Sequence, residues 1–86
     1  MLVYLALMSV DPASPVPMYQ QLADILRARI QAGEWSHGPL PGVVQLQQQY
    51  DVGRDVVLRA VAMLRDEGLV FTVKRRGTYV TPDSSA

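Results

Sequence analysis

The 86 residues are 49% hydrophobic and 19% charged, which suits one compact domain with a single core and is too little for two. Cysteine is absent and the one histidine, His37, has no partner at metal-ligand spacing, so disulfides, thiol chemistry and a structural zinc are excluded. Eight basic residues balance eight acidic ones, so any contact with a nucleic acid must come from local placement of charge and not from an overall basic footprint.

The opening Met1-Leu2-Val3-Tyr4-Leu5-Ala6-Leu7-Met8 is apolar. It lacks a basic n-region and a clear cleavage site and is far below membrane-spanning length, so the expectation is a cytoplasmic chain with no membrane role. Two readings of the segment stay open. It is an extra edge strand or arm, which would suit a dimer contact, or it is a tail upstream of a natural start, since Met8-Ser9-Val10-Asp11-Pro12 looks like a beginning. Residues 1–13 are therefore taken as an arm or disordered tail, 14–81 as the folded domain and 82–86 as a flexible end.

Asp11 to Pro17 holds three prolines, which prevents helix and predicts an extended lead-in. From Pro17 onward Met18, Leu22, Ile25, Leu26 and Ile30 recur at three- and four-residue spacing, with Gly33 as a stop; this is an amphipathic first helix. Glu34 to Pro41 reads as a turn-rich connection with room for one short extended piece, and Trp35 is expected to plug the core. Val43, Leu46 and Tyr50 fall in helical register over 42–50. Asp51-Val52-Gly53 then breaks the pattern before a third helix over 54–67, whose Val57, Ala60, Val61 and Leu64 share a face and whose Gly68 supplies the stop. Leu69 to Val73 and Thr78 to Thr81 are rich in strand formers and flank the basic turn Lys74-Arg75-Arg76-Gly77, which predicts a hairpin.

Three helices with a three-residue break before the third, then a hairpin, make an α+β, mainly α, winged helix-turn-helix. In that arrangement the third helix can enter the major groove of double-stranded DNA with its N-terminal residues at base edges. Arg54 stands at that end and is the first candidate, since arginine can form two hydrogen bonds to guanine. Arg59, five residues on, would project toward the flanking backbone, and Lys74-Arg75-Arg76 would reach a phosphate or the minor groove. Arg65 reads as a solvated helix charge.

The chain resembles the GntR family's DNA-binding domain over about residues 14 to 81. The resemblance runs through Ser14-Pro15-Val16-Pro17-Met18-Tyr19-Gln20-Gln21-Leu22, Arg27, Gly33-Glu34-Trp35, Leu40-Pro41, Tyr50, Val52, Arg54, Val57, Arg59-Ala60, Glu67-Gly68-Leu69-Val70 and Arg76-Gly77-Thr78-Tyr79-Val80. It implies that the second and third helices form the helix-turn-helix, that Arg76-Gly77-Thr78 lies at the wing tip, and that a homodimer binds an operator, usually repressing transcription. The family usually continues into an effector-binding or dimerisation domain, so a chain stopping at Ala86 implies action without a small-molecule ligand, or a fragment.

The departures carry information too. Where the family usually has Ser-Glu-Arg after Leu-Pro, Gly42-Val43-Val44 stand here, so a helix cap and a DNA-contacting arginine are missing. The recognition segment reads Val52-Gly53-Arg54-Asp55-Val56-Val57-Leu58 in place of Val-Ser-Arg-Thr-Thr-Val-Arg and keeps one of two arginines. Asp55 would repel a phosphate or accept from a cytosine amino group, and Val56 or Leu58 can touch a thymine methyl. The candidate DNA-binding set is Arg54, Asp55, Leu58, Arg59, Lys74, Arg75, Arg76, Gly77 and Thr78. No set of residues suited to catalysis or to a cofactor accompanies His37, so an enzyme is not expected. The competing reading is a winged helix that has lost DNA contacts and docks a protein partner through Val43, Val44, Val56 and Leu58.

Overall fold

The computed structural model describes residues 9–82; the readings of Met1 to Met8 and of the end beyond Pro82 lie outside the described residues. In chain order the elements are α1 (Met18–Gln31), α2 (Val43–Tyr50), α3 (Arg54–Asp66), β1 (Val70–Val73) and β2 (Gly77–Val80). The winged helix-turn-helix expected from the sequence is the observed fold.

The core is built where the periodicity placed it. Leu22, Ala23, Ile25, Leu26 and Ile30 of α1 are buried against Val57, Ala60 and Leu64 of α3, and Leu46 and Tyr50 of α2 close the third side. Leu40, Val52 and Val70 complete it from the connections and the first strand. Each helix stops at a residue of positive φ, at Gly33, Asp51 and Gly68. Beyond each stop an amide reaches back to a carbonyl five residues earlier, as in Glu34 to Arg29, Val52 to Gln47 and Leu69 to Leu64. Aspartate is among the few non-glycine residues that tolerate this conformation, which lets Asp51 turn the chain sharply from α2 into α3.

The hairpin pairs Val70 with Val80, Phe71 with Tyr79, Thr72 with Thr78 and Val73 with Gly77. The short extended piece expected between the first two helices is present: Pro39 bridges to Tyr79, and the Leu40 amide donates to the Thr78 carbonyl at 2.8 Å. This third strand-like contact anchors the hairpin to the entrance of α2. Gly77 has φ +117°, and a Cβ there would sit 3.5 Å from Pro39 Cβ, so backbone conformation is what demands glycine at this corner.

The lead-in departs from the extended path expected of it. Asp11 accepts from the Ala13 amide through Oδ1 and from the Ser14 amide through its carbonyl, and Ser14 Oγ accepts from the Val16 amide. These side-chain-to-backbone bonds curl residues 12–16 into turns and bends, and Pro17, at φ −54° and ψ 144°, is extended. Gln21 holds the curl in place, accepting from the Asp11 amide and donating to the carbonyls of Asp11 and Val16. Trp35 also differs: it is half-buried at the edge of the core rather than within it.

Candidate nucleic-acid interface

The helix-turn-helix is α2, the turn Asp51-Val52-Gly53 and α3. Neither α2 nor α3 has a side-chain N-cap, since glycine precedes both. At α2 the loss is partly offset, because Gln45 Oε1 accepts from the Gly42 amide at 3.1 Å, half of the reciprocal bonding of a capping box. At α3 Asp55 stands in the first turn, where a carboxylate interacts favourably with the exposed amides and the helix dipole. This local role for Asp55 is independent of anything it meets outside the protein.

Arg54, Asp55, Leu58 and Arg59 are all exposed on α3, but they do not share one face. At about 100° per residue, Leu58 lies roughly 40° round the helix from Arg54 and Arg59 roughly 140°. Leu58, together with Val61 and Arg65, lines a groove of about 450 Å³ whose other walls are Leu40, Pro41 and Val43 at the start of α2, and Thr72, Gly77 and Thr78 of the hairpin. The Arg54 side of α3 and the strand residues next to the hairpin turn therefore flank one concave surface.

At the wing the Arg76 amide donates to the Val73 carbonyl, closing a turn whose third residue, Arg75, has φ +67°. A type II turn favours glycine at that place. An arginine held there keeps three consecutive cations, Lys74, Arg75 and Arg76, exposed at the tip. Phe71 and Tyr79 stack with centroids 6.0 Å apart and stiffen the stem below them.

The remaining arginines are engaged elsewhere. Arg27 on α1 bonds Glu67 through Nε and Nη2 at 2.9 and 2.6 Å and Asp24 through Nη1 at 2.6 Å, tying α1 to the end of α3. Arg29 holds Glu34 through Nε and Nη2 at 2.7 and 2.9 Å, donates to the Tyr50 hydroxyl and lies over the Trp35 ring. The hydrogen-bonded Arg27 guanidinium holds the Glu67 carboxyl below the usual carboxylate range, and Arg29 does the same to Glu34; both guanidinium values are raised in turn, first by those carboxylates. Among the described residues, Arg54, Lys74, Arg75 and Arg76 make no ion pair.

Two side chains make contacts within the protein that the sequence reading did not include. Arg59 stacks its guanidinium over Tyr19 at 4.8 Å, turned toward α1 and away from Arg54. Arg65 is more than a solvated charge: it donates to Thr72 Oγ1 at 3.2 Å and lines the groove, joining α3 to β1. Its four-residue step from Val61 and its nearness to Gly68 were visible in the sequence, but the partner on β1 depends on how the hairpin folds back.

The family described as "Bacterial regulatory proteins, gntR family" matches residues 18–80. The chain belongs to the gntR family. Among its curated relatives, the HTH-type transcriptional repressor NagR of Bacillus subtilis is 35% identical over 75 residues, covering 86% of this chain and 31% of NagR. The histidine utilization repressor of Klebsiella aerogenes is 30% identical over 79% of this chain and 29% of its own length. The chain thus spans about a third of the length of these relatives. Among solved structures, YtrA from Sulfolobus acidocaldarius, a GntR-family transcription factor, superimposes with TM-score 0.75 at 32% identity over 87% of this chain and 80% of that one. The AraR DNA-binding domain in complex with operator ORX1 does so with TM-score 0.74 at 28% identity, over 83% and 89%.

Proposed function

We propose that this gntR-family chain is a sequence-specific DNA-binding transcription regulator, acting as a repressor. Arg54 and its neighbours on α3 read the major groove, and the Lys74–Thr78 wing grips the flanking backbone or minor groove. The observation that carries this reading is the division of the cations. Those on α1 are bound to carboxylates, whereas Arg54 at the start of α3 and the three at the wing tip are exposed and unpaired among the described residues. Cations without internal partners on one side of a neutral domain are what phosphate neutralisation requires. The likeness to an AraR domain bound to operator supports the same use of the surface.

Within this reading the working unit is residues 14–81, it binds as a homodimer on a two-fold operator, and it acts in the cytoplasm as a regulator and not an enzyme. No helix of the described residues is long and apolar enough to cross a membrane. Arg59 serves as a flank contact steadied by Tyr19, and Gly77 and Thr78 shape the wing next to its tip. The test is fluorescence anisotropy against duplexes flanking the chain's own gene, compared with random duplex over a salt series. Specific binding that weakens steeply with salt supports the reading; no binding even at low salt overturns it and directs attention to a protein partner.

A further inference from the structure

We propose that Leu58 is a specificity residue that reads the 5-methyl group of a thymine within about two base pairs of the base read by Arg54. The inference rests on the DNA-binding reading above and adds to it the identity of a second base. Leu58 is 43% exposed on a stretch of α3 whose other exposed side chains, Arg54, Asp55 and Arg59, are charged. It lies one turn beyond Arg54 and roughly 40° round the helix, about 6 Å further along the axis, which is roughly two base steps at about 3.4 Å each.

The surroundings of Leu58 are apolar on the α2 side. The groove it borders is lined there by Leu40, Pro41 and Val43, with Val61 behind, and Val44, beside Val43, is 60% exposed. A base edge brought against this surface meets no hydrogen-bond partner at Leu58. A cytosine or adenine amino group seated on Leu58 beyond the reach of Asp55, three residues earlier on α3, would be desolvated there without compensation, whereas the thymine methyl is the one apolar feature a base offers in the major groove. The chemistry therefore favours thymine twice, by attraction of its methyl and by exclusion of the amino groups.

The experiment selects duplexes from a random pool with the purified chain, then replaces each thymine of the selected site in turn by deoxyuridine, which lacks only the methyl. At one position the loss should weaken binding about fourfold, the worth of one buried methyl-sized group. That sensitivity should vanish in Leu58→Ala, persist in Leu58→Met, and give way to a guanine preference in Leu58→Arg, with thermal melts showing all three folded. Deoxyuridine substitution without effect at every position overturns the inference, as does a sensitivity undiminished in Leu58→Ala. Either result obtained with binding still dependent on Arg54 leaves the DNA-binding reading standing; absence of any selected site overturns both.

Discussion

Arg27 and Arg29 on α1 and Arg54 and Arg75 on the proposed DNA-binding surface carry the same guanidinium under opposite constraints. Arg27 and Arg29 are largely covered, with side chains 25% and 14% exposed, and each meets a carboxylate at 2.6–2.7 Å. Arg54 and Arg75 are exposed and make no ion pair among the described residues. A guanidinium already forked to a carboxylate has little left to give a phosphate or a guanine. The near-zero net charge is thus no obstacle to DNA binding, because part of the acidic complement is spent internally on the side where it neutralises structural arginines.

The largest expected effect tests the working side. Arg54→Ala should cost about 1–3 kcal/mol of specific binding, roughly 5–150-fold, by removing a two-bonded guanine contact. Because Arg54 is exposed and makes no ion pair among the described residues, the variant's melting stability should stay within about 0.5 kcal/mol of the parent. Anisotropy on specific and random duplexes, with a thermal melt beside it, reads both. A large loss of stability would mean that Arg54 is structural and that the contrast drawn above is false.

Arg75→Gly sharpens the contrast from within the wing. The positive φ of Arg75 places a side chain where glycine is at ease, at a cost of roughly 1 kcal/mol. The substitution should therefore stabilise the domain by about 0.5–1 kcal/mol, less the added freedom of glycine in the unfolded chain. Affinity should fall at the same time, with the salt slope shallower by about one. Arg75→Ala separates the two, losing the charge while keeping the strain. Gains in both stability and affinity from Arg75→Gly would remove the case for a retained functional strain.

Arg27→Ala should do the reverse of Arg54→Ala, lowering stability by about 1 kcal/mol while leaving the affinity of the folded protein unchanged. The estimate is at the upper end for a partly exposed pair because the guanidinium makes a two-bonded fork to Glu67 and also holds Asp24. Arg27→Lys should recover only part of the loss, since an ammonium cannot reproduce the fork. A fall in DNA affinity measured well below the melting temperature would place Arg27 in the binding surface.

Much of this division was legible in the sequence, and what was not has a common cause. The apolar spacing of Leu22, Leu26 and Ile30 and of Val57, Ala60 and Leu64 specified which helix faces meet, because periodicity is a local property that burial then obeys. Arg54 and the Lys74-Arg75-Arg76 turn were legible for the same reason: a helix start and a hairpin tip are set by neighbouring residues. The pairings of Arg59 with Tyr19, Arg65 with Thr72 and Arg27 with Glu67 span 40, 7 and 40 residues, and only the assembled fold decides them. The curled lead-in was hidden differently. Its prolines forbid helix, but the Asp11 and Ser14 side chains choose turns over extension by bonding to backbone amides two residues on.

The smallest effect concerns acid. Glu67 and Glu34 have folded values below the ordinary carboxylate range, held there by hydrogen bonds from Arg27 and Arg29. A carboxylate whose value is depressed on folding contributes stability at all pH above its unfolded value, near about 4.3, and loses it as pH falls through the folded value. The stability curve should accordingly decline below about pH 4.3, by a modest amount because the two side chains are 37% and 42% exposed and screened by solvent. Thermal melts through the acid range of the parent and of Glu67→Gln and Glu34→Gln should show each variant less stable near neutrality and less dependent on pH below that value. Since Glu67 caps the end of α3 remote from Arg54 and Glu34 follows α1, away from the wing, the same two variants should bind DNA like the parent near neutral pH. An acid dependence unchanged in both variants would show that the arginine–carboxylate links on the α1 side contribute nothing to stability, leaving the contrast between the two faces a matter of geometry alone.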